Sequence, residues 1–172
     1  MNGAVMTKHA PWFFQERAAW FAKVVLTRRP DVVVGTYAGT DMGIDLLVEV
    51  LKDGKSTRRF FGVQLVADMD LPNVKDANGR VRSHLGRDSF EAELPVCAFV
   101  IGVRKPEGIY RWVVEPAVDN GRPLLRRDAE TRWHALDEAG VDRLIDQVDA
   151  WYDARKERSN LTLHGRHSQS AP

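Results

Sequence analysis

The chain has 172 residues, 25 Lys and Arg against 24 Asp and Glu, a formal net charge of +1, and 44% hydrophobic residues. That length suits one domain with its own core. Balanced charge excludes a polycation that holds nucleic acid over its whole surface, so any such contact must come from a local patch. The one cysteine, Cys97, excludes an intrachain disulfide and sits in the apolar run 96–100, where it reads as a small buried thiol. No N-terminal h-region and no run of roughly 18 uncharged apolar residues is present, so the expected location is cytoplasmic, without a membrane partner.

Residues 1–10 read as a lead-in. Between Pro11 and Arg28 the spacing predicts a helix, with Phe14, Ala18, Phe21 and Val25 on one face and Phe13, Trp20 and Val24 on a second. A polar stripe of Gln15, Glu16, Ala19 and Lys23 runs between them, as on a helix covered from two sides. Pro30 ends it. Three β-rich runs follow, at 31–37, 44–51 and 59–67, and the turn Lys52-Asp53-Gly54-Lys55 joins the last two as a hairpin. Residues 68–88, with Pro72, Asn73, Asn78, Gly79 and Gly86 among mixed charges, read as a long loop. A short helical turn is expected at 89–94. Residues 96–103 and 110–118 then form strands joined by a tight turn at 106–108, hence an antiparallel pair. A loop at 119–131 and a short strand at 133–136 lead to Asp137, which caps an amphipathic helix. Val141, Leu144, Ile145, Val148 and Tyr152 share its apolar face, while Asp142, Asp146, Asp149 and Asp153 lie away from it. From 159 the sequence is polar and aperiodic and reads as a disordered tail on a domain spanning 1–158. This order describes an α+β domain, a mixed sheet flanked by helices.

Glu16 on the first helix, Asp45 in Met42-Gly43-Ile44-Asp45-Leu46 and Gln64 in Phe61-Gly62-Val63-Gln64 carry a resemblance. The helix near Gln15-Glu16-Arg17, the motif Asp41-Met42-Gly43-Ile44-Asp45-Leu46 and the second strand are similar to the bacterial family termed domain of unknown function 4365. That family is a branch of the PD-(D/E)XK nuclease superfamily, and the likeness covers roughly residues 11 to 118. It implies a restriction-endonuclease-like core in which Asp45, with Glu16 as an outer ligand, holds Mg²⁺. A divalent cation polarises a phosphodiester and activates water, and Mg²⁺ takes oxygen ligands. Gln64 would replace the second acidic residue. In the family the position two beyond Gln64 is lysine, whereas here it is Val66. Losing such a group costs about 10² to 10⁴ in rate.

The implied function is a degenerate nuclease-like domain that binds nucleic acid with weak or no cleavage. One alternative is an active Mg²⁺-dependent DNA endonuclease that uses Lys23 in place of the motif lysine. Another is an interaction or regulatory subunit whose acidic C-terminal helix receives a basic protein partner. Lys75, Arg80, Arg82 and Arg87, set against Asp76, are the expected phosphate contacts. The five histidines and one cysteine show no zinc-type spacing. His84 and His134 are read as an exposed loop residue and a structural one.

Overall fold

The computed structural model of the protein describes residues 12–37, 43–84, 93–127 and 132–167. The first helix, α1 (Trp12–Leu26), is followed by β1 (Val32–Thr36), β2 (Leu46–Lys52) and β3 (Lys55–Asp68). Then come α2 (Val74–His84), β4 (Val96–Gly102), β5 (Glu107–Asp119), β6 (Arg122–Arg127), β7 (His134–Ala135) and α3 (Glu138–His167). The strands form an open seven-stranded sheet ordered β1-β2-β3-β4-β5-β6, with β7 also paired to β5. Among the described residues only β3 and β4 run parallel; the other pairs are antiparallel. A parallel pair needs a crossover, and α2 supplies it. The protein is therefore α+β, with a mixed sheet between helices.

Strand alternation sorts the core into two faces. On one, Leu46, Val48, Phe61, Val63, Leu65, Phe99 and Tyr110 pack with Phe14, Ala18 and Ala22 of α1 and Val141, Leu144, Ile145 and Val148 of α3. On the other, Val66, Ala98 and Val100 pack with Ala77 and Val81 of α2. Each large apolar side chain buried in this way contributes about 1.5–3 kcal/mol. No helix among the described residues is long and apolar enough to cross a membrane.

Four local expectations are corrected. Helix α1 is covered on one side only: Phe14, Ala18, Ala22 and Val25 are buried, but Trp20 is 70% exposed, and Phe13 and Val24 are also exposed. One sheet face offers room for one stripe of the helix. The polar stretch after β3 is helical from Val74, because Asn73 caps it. Its Oδ1 accepts from the Asp76 amide at 3.0 Å, and its side-chain amide donates to the Asp76 carboxylate at 2.8 Å. Two apolar residues one turn apart, Ala77 and Val81, suffice to dock so short a helix. Residues 122–127 form β6, since Asn120 (φ 46°) and Gly121 (φ 73°) make the left-handed pair that a two-residue hairpin requires. Lastly, α3 continues to His167 with no break at 158–159, since extending a nucleated helix needs no further apolar period. The short turn expected at 89–94 falls mostly outside the described residues.

The start of α3 is set by contacts rather than by periodicity. Asp137 Oδ1 accepts from the Gly140 amide at 2.8 Å, and the Tyr110 hydroxyl donates to the Gly140 carbonyl at 2.9 Å. A Cβ at Gly140 would fall 2.0 Å from the Ala135 carbonyl oxygen. Alanine normally stabilises a helix relative to glycine by about 1 kcal/mol. Gly140→Ala is expected to do the reverse, lowering stability by about 1–3 kcal/mol through overpacking against backbone, as read by urea unfolding.

Arg29, just beyond α1, ties the same helix to the start of β1. It donates to Asp31 at 2.9 and 2.6 Å and to Asp142 at 2.6 Å. The Arg29 hydrogen bond holds the Asp31 carboxyl below its ordinary range, outweighing partial burial. A depressed folded-state value means the contribution is whole above the unfolded value of about 3.9 and is lost as pH falls through the folded one. The stability difference between wild type and Asp31→Asn is thus expected to hold near neutrality and to shrink below about pH 4, measured by thermal unfolding across an acid series.

Candidate functional site

Asp45 lies where β2 begins. Gly43 turns the chain with φ 61°, and backbone bonds then fix Asp45 on both neighbours: Tyr37 N donates to its carbonyl at 3.0 Å, and its own amide donates to Val63 O at 2.8 Å. The side chain is exposed, and its Oδ2 accepts from the Leu65 amide at 2.6 Å. Here β3 runs on beyond the end of β2, so the carboxylate satisfies an amide that a longer β2 would have paired.

Leu46 pairs with Val63, and the Asp45 amide bonds the Val63 carbonyl while its carboxylate bonds the Leu65 amide, so Asp45 holds β3 on either side of Gln64. Gln64 is buried, 3% exposed, and its Oε1 has no hydrogen-bond partner among the described residues. Leaving a buried amide oxygen unmatched costs about 1–3 kcal/mol. The amide shares a strand face with Val66, which is sealed by Ala77, Val81, Ala98 and Val100. The position two beyond Gln64 is therefore core.

The other candidates lie elsewhere. Glu16 is exposed and two residues from both Phe14 and Ala18, the buried stripe of α1, so the helix turns it away from the sheet. Moreover, α1 covers the sheet face opposite Gln64. Lys23 donates from Nζ to Thr36 Oγ1 at 3.1 Å. Thr36 pairs with Leu46, which brings the ammonium into the neighbourhood of Asp45 from the α1 side. Lys75 and Arg80 are exposed on α2, and Arg80 meets Asp68 at 2.8 Å. Arg87 and the side chains of Arg82 and His84 lie outside the described residues. His134 stacks on Tyr110 with ring centroids 5.4 Å apart, and burial and then Arg143 and Arg132 lower its pKa. Cys97 is fully buried, its thiol donating to Gly62 O at 3.6 Å, and burial pushes its pKa up.

Asp45 and Gln64 together offer oxygen donors to a hard cation. An unmatched amide oxygen and a carboxylate bonded to the next residue of β3 are both oxygen donors of the kind Mg²⁺ takes, with water completing the shell. Among the described residues no group of three or more His, Cys, Asp or Glu is placed to hold a metal, so such a site would rest on one carboxylate.

The acidic stripe of α3 serves the protein itself. Asp142 meets Arg29, and Asp149 and Asp153 meet Arg59, at 2.7 Å for Asp149. Burial alone would lower the pKa of Arg59, but the hydrogen bonds it donates to the two aspartates, with their charge, outweigh it. Three of the four aspartates are therefore held by the protein's own arginines. The one-turn spacing of Asp149 and Asp153 was the sequence signal for a shared cationic partner. No family model, curated protein or solved structure matches the chain.

The unmatched oxygen gives a direct test. Gln64→Leu keeps the volume and removes the orphan, so it is expected to raise stability by about 1–2 kcal/mol. A loss in chemical denaturation would instead reveal a partner for Oε1.

Proposed function

We propose that this is a degenerate PD-(D/E)XK nuclease-like domain that binds nucleic acid in the cytoplasm and cleaves weakly or not at all. The observation that carries it is the pair of hydrogen bonds by which Asp45 holds β3 on either side of the orphaned Gln64, at the Val63 carbonyl and the Leu65 amide, with Val66 sealed beneath α2. A carboxylate and an amide oxygen can hold a divalent cation and, through it, a phosphate. With a methyl-bearing side chain where the superfamily's lysine belongs, position 66 neither orients the nucleophile nor meets developing charge. Mg²⁺, where bound, would supply polarisation of the phosphate; Asp45 and Gln64 would anchor it.

Lys23 supports the second reading, an active endonuclease, since its ammonium sits against Thr36 beside the start of β2. It approaches from the α1 side, however, whereas Gln64 faces α2. The degenerate reading is therefore preferred. Exposed Lys75 and Arg80 on α2, with Arg82 and Arg87 following in sequence, stand on the same side of the sheet as Gln64 and are the phosphate contacts of this reading.

Plasmid nicking in Mn²⁺ is expected to be the same, at background, for wild type and Asp45→Ala. DNA binding is expected to weaken with salt and in the combined Arg80→Ala, Arg82→Ala and Arg87→Ala variant. Nicking that needs both Asp45 and Lys23 would establish the endonuclease. Absence of any nucleic-acid binding would end the degenerate reading.

A further inference from the structure

The two edges of the sheet are built differently. At one, β6 carries Arg122, Pro123, Arg126 and Arg127. Charge and proline of this kind keep an edge strand from accepting another strand. At the other, β1 reads Val32-Val33-Val34-Gly35-Thr36, with no charged residue, no proline and an unbroken register on β2. An apolar edge strand without such guards is a template for further pairing.

Which backbone groups of β1 face outward follows from its pairing with β2. The Asp31 carbonyl accepts from the Leu51 amide at 2.7 Å, and the Tyr37 amide donates to the Asp45 carbonyl at 3.0 Å. In an antiparallel ladder alternate residues turn both their N–H and their C=O to the same side. Residues 31, 33, 35 and 37 therefore bond β2, while Val32, Val34 and Thr36 direct both groups away from the sheet. Among the described residues no backbone group pairs with these outward ones. Val32 and Val34 pack into the core on the α1 side, and Val33, on the other face, is 49% exposed.

We propose that β1 pairs antiparallel with β1 of a second copy of this chain, making one continuous sheet across a twofold axis at Val34. In that register Val34 meets its own counterpart, and Val32 of each copy meets Thr36 of the other. Each of these pairs exchanges both hydrogen bonds, so every outward group of the strand is satisfied. No other register of β1 on itself achieves this for all three residues. The side chains agree: β-branched residues oppose one another on the α1 face, Val33 opposes Gly35 on the other, and no charge opposes a like charge. The flanks do not resist it either. Near the start of β1, Arg28, Arg29 and Lys52 are set against Asp31, Asp53 and Asp142, and beyond them Arg59 lies between Asp149 and Asp153. The Lys23 ammonium beside Thr36 of the other copy thus meets no excess of its own sign. An antiparallel join keeps both copies of α1 on one face of the sheet, where Trp20, 70% exposed on the turn before Lys23, borders it. Self-matching of this kind favours an isologous pair over a foreign strand. Backbone groups carry the pairing, so it stands apart from the nuclease reading.

Sedimentation equilibrium of the full chain across micromolar concentrations tests it, with a reversible dimer expected for wild type. Val34→Pro removes the donor at the axis, and because that N–H faces outward, pairing with β2 is kept. It should weaken self-association about tenfold or more through the two bonds at the axis, with an unchanged far-UV circular dichroism spectrum. Val33→Lys, whose side chain lies outside the core, places a guarding charge on the edge and should act in the same direction. The register is read by cross-linking. Val34 and its counterpart would stand about 5.5 Å apart at Cα, within reach of a disulfide, so Val34→Cys should give a covalent dimer on mild oxidation. Val33→Cys should not, since its diagonal partner lies about 7–8 Å away. A wild type that stays monomeric overturns the inference, whether or not it captures a foreign strand. So does a dimer of undiminished affinity in natively folded Val34→Pro, or one that Val34→Cys fails to cross-link. Should Val34→Pro disturb the spectrum, Val33→Lys and the cross-link decide.

Discussion

The burial of β3 on both faces constrains the rest of the molecule. Every residue from Phe61 to Ala67 is buried, because α1 and α3 close one face, α2 closes the other, and strands flank it on both edges. Polar groups in such a strand must be matched by hydrogen bonds or carry the penalty. Gln64 is the polar side chain buried there, and its oxygen is unmatched among the described residues. Val66 pays no such penalty and contributes to the packing beneath α2. A lysine at 66 would have to displace Ala77 or Val81 to reach water, so the apolar residue and the docked α2 support one another.

Charge on the opposite face is organised by two arginines. Arg29 joins the end of α1 and the start of β1 to Asp142, and Arg59 joins β3 to Asp149 and Asp153. Each bond is partly exposed, so any one is worth little. Their role is positional: they fix α3 along the sheet while Tyr152 bonds the Phe60 backbone and Trp112 donates to Gln147 at 2.9 Å. The next turn of α3 is engaged inward as well, since the Arg155 guanidinium lies over the buried Trp151 ring at 4.7 Å.

Much of this architecture was legible in the sequence. Continuous apolar runs marked β3 and β4, and the 3.6-residue period with Asp137 marked α3. What escaped has identifiable physical causes. Helix α2 is carried by a cap at Asn73 and two apolar contacts, too few to show as a period. Strand β6 is rich in arginine and lies at the sheet edge, where polar residues guard against further pairing; its Asn120-Gly121 turn was the missed signal. At the candidate site, the bonds of Asp45 to Val63 and Leu65 of β3 follow from where β2 begins, after the turn at Gly43. The orientation of Glu16 away from the sheet follows from which stripe of α1 is buried, and the two apolar stripes of that helix made this ambiguous.

The two ends of β2 carry different physics. From Asp45 to Lys52 is seven residues of extended chain, about 23 Å at 3.3 Å per residue. That exceeds the screening length of about 8–10 Å at moderate salt, so charge at one end has little influence on the other. The carboxylate end is poor in cations: Lys23 bonds Thr36 from the α1 side, and position 66 is apolar. The hairpin end gathers Lys52, Arg58, Arg59, Arg155 and Lys156 together with Asp31, Asp53, Asp149 and Asp153, and it holds Arg58 at φ 59°. Charge there is answered locally, so the Asp45 carboxylate feels little of it, because the sheet keeps the two sets of charges further apart than the screening length.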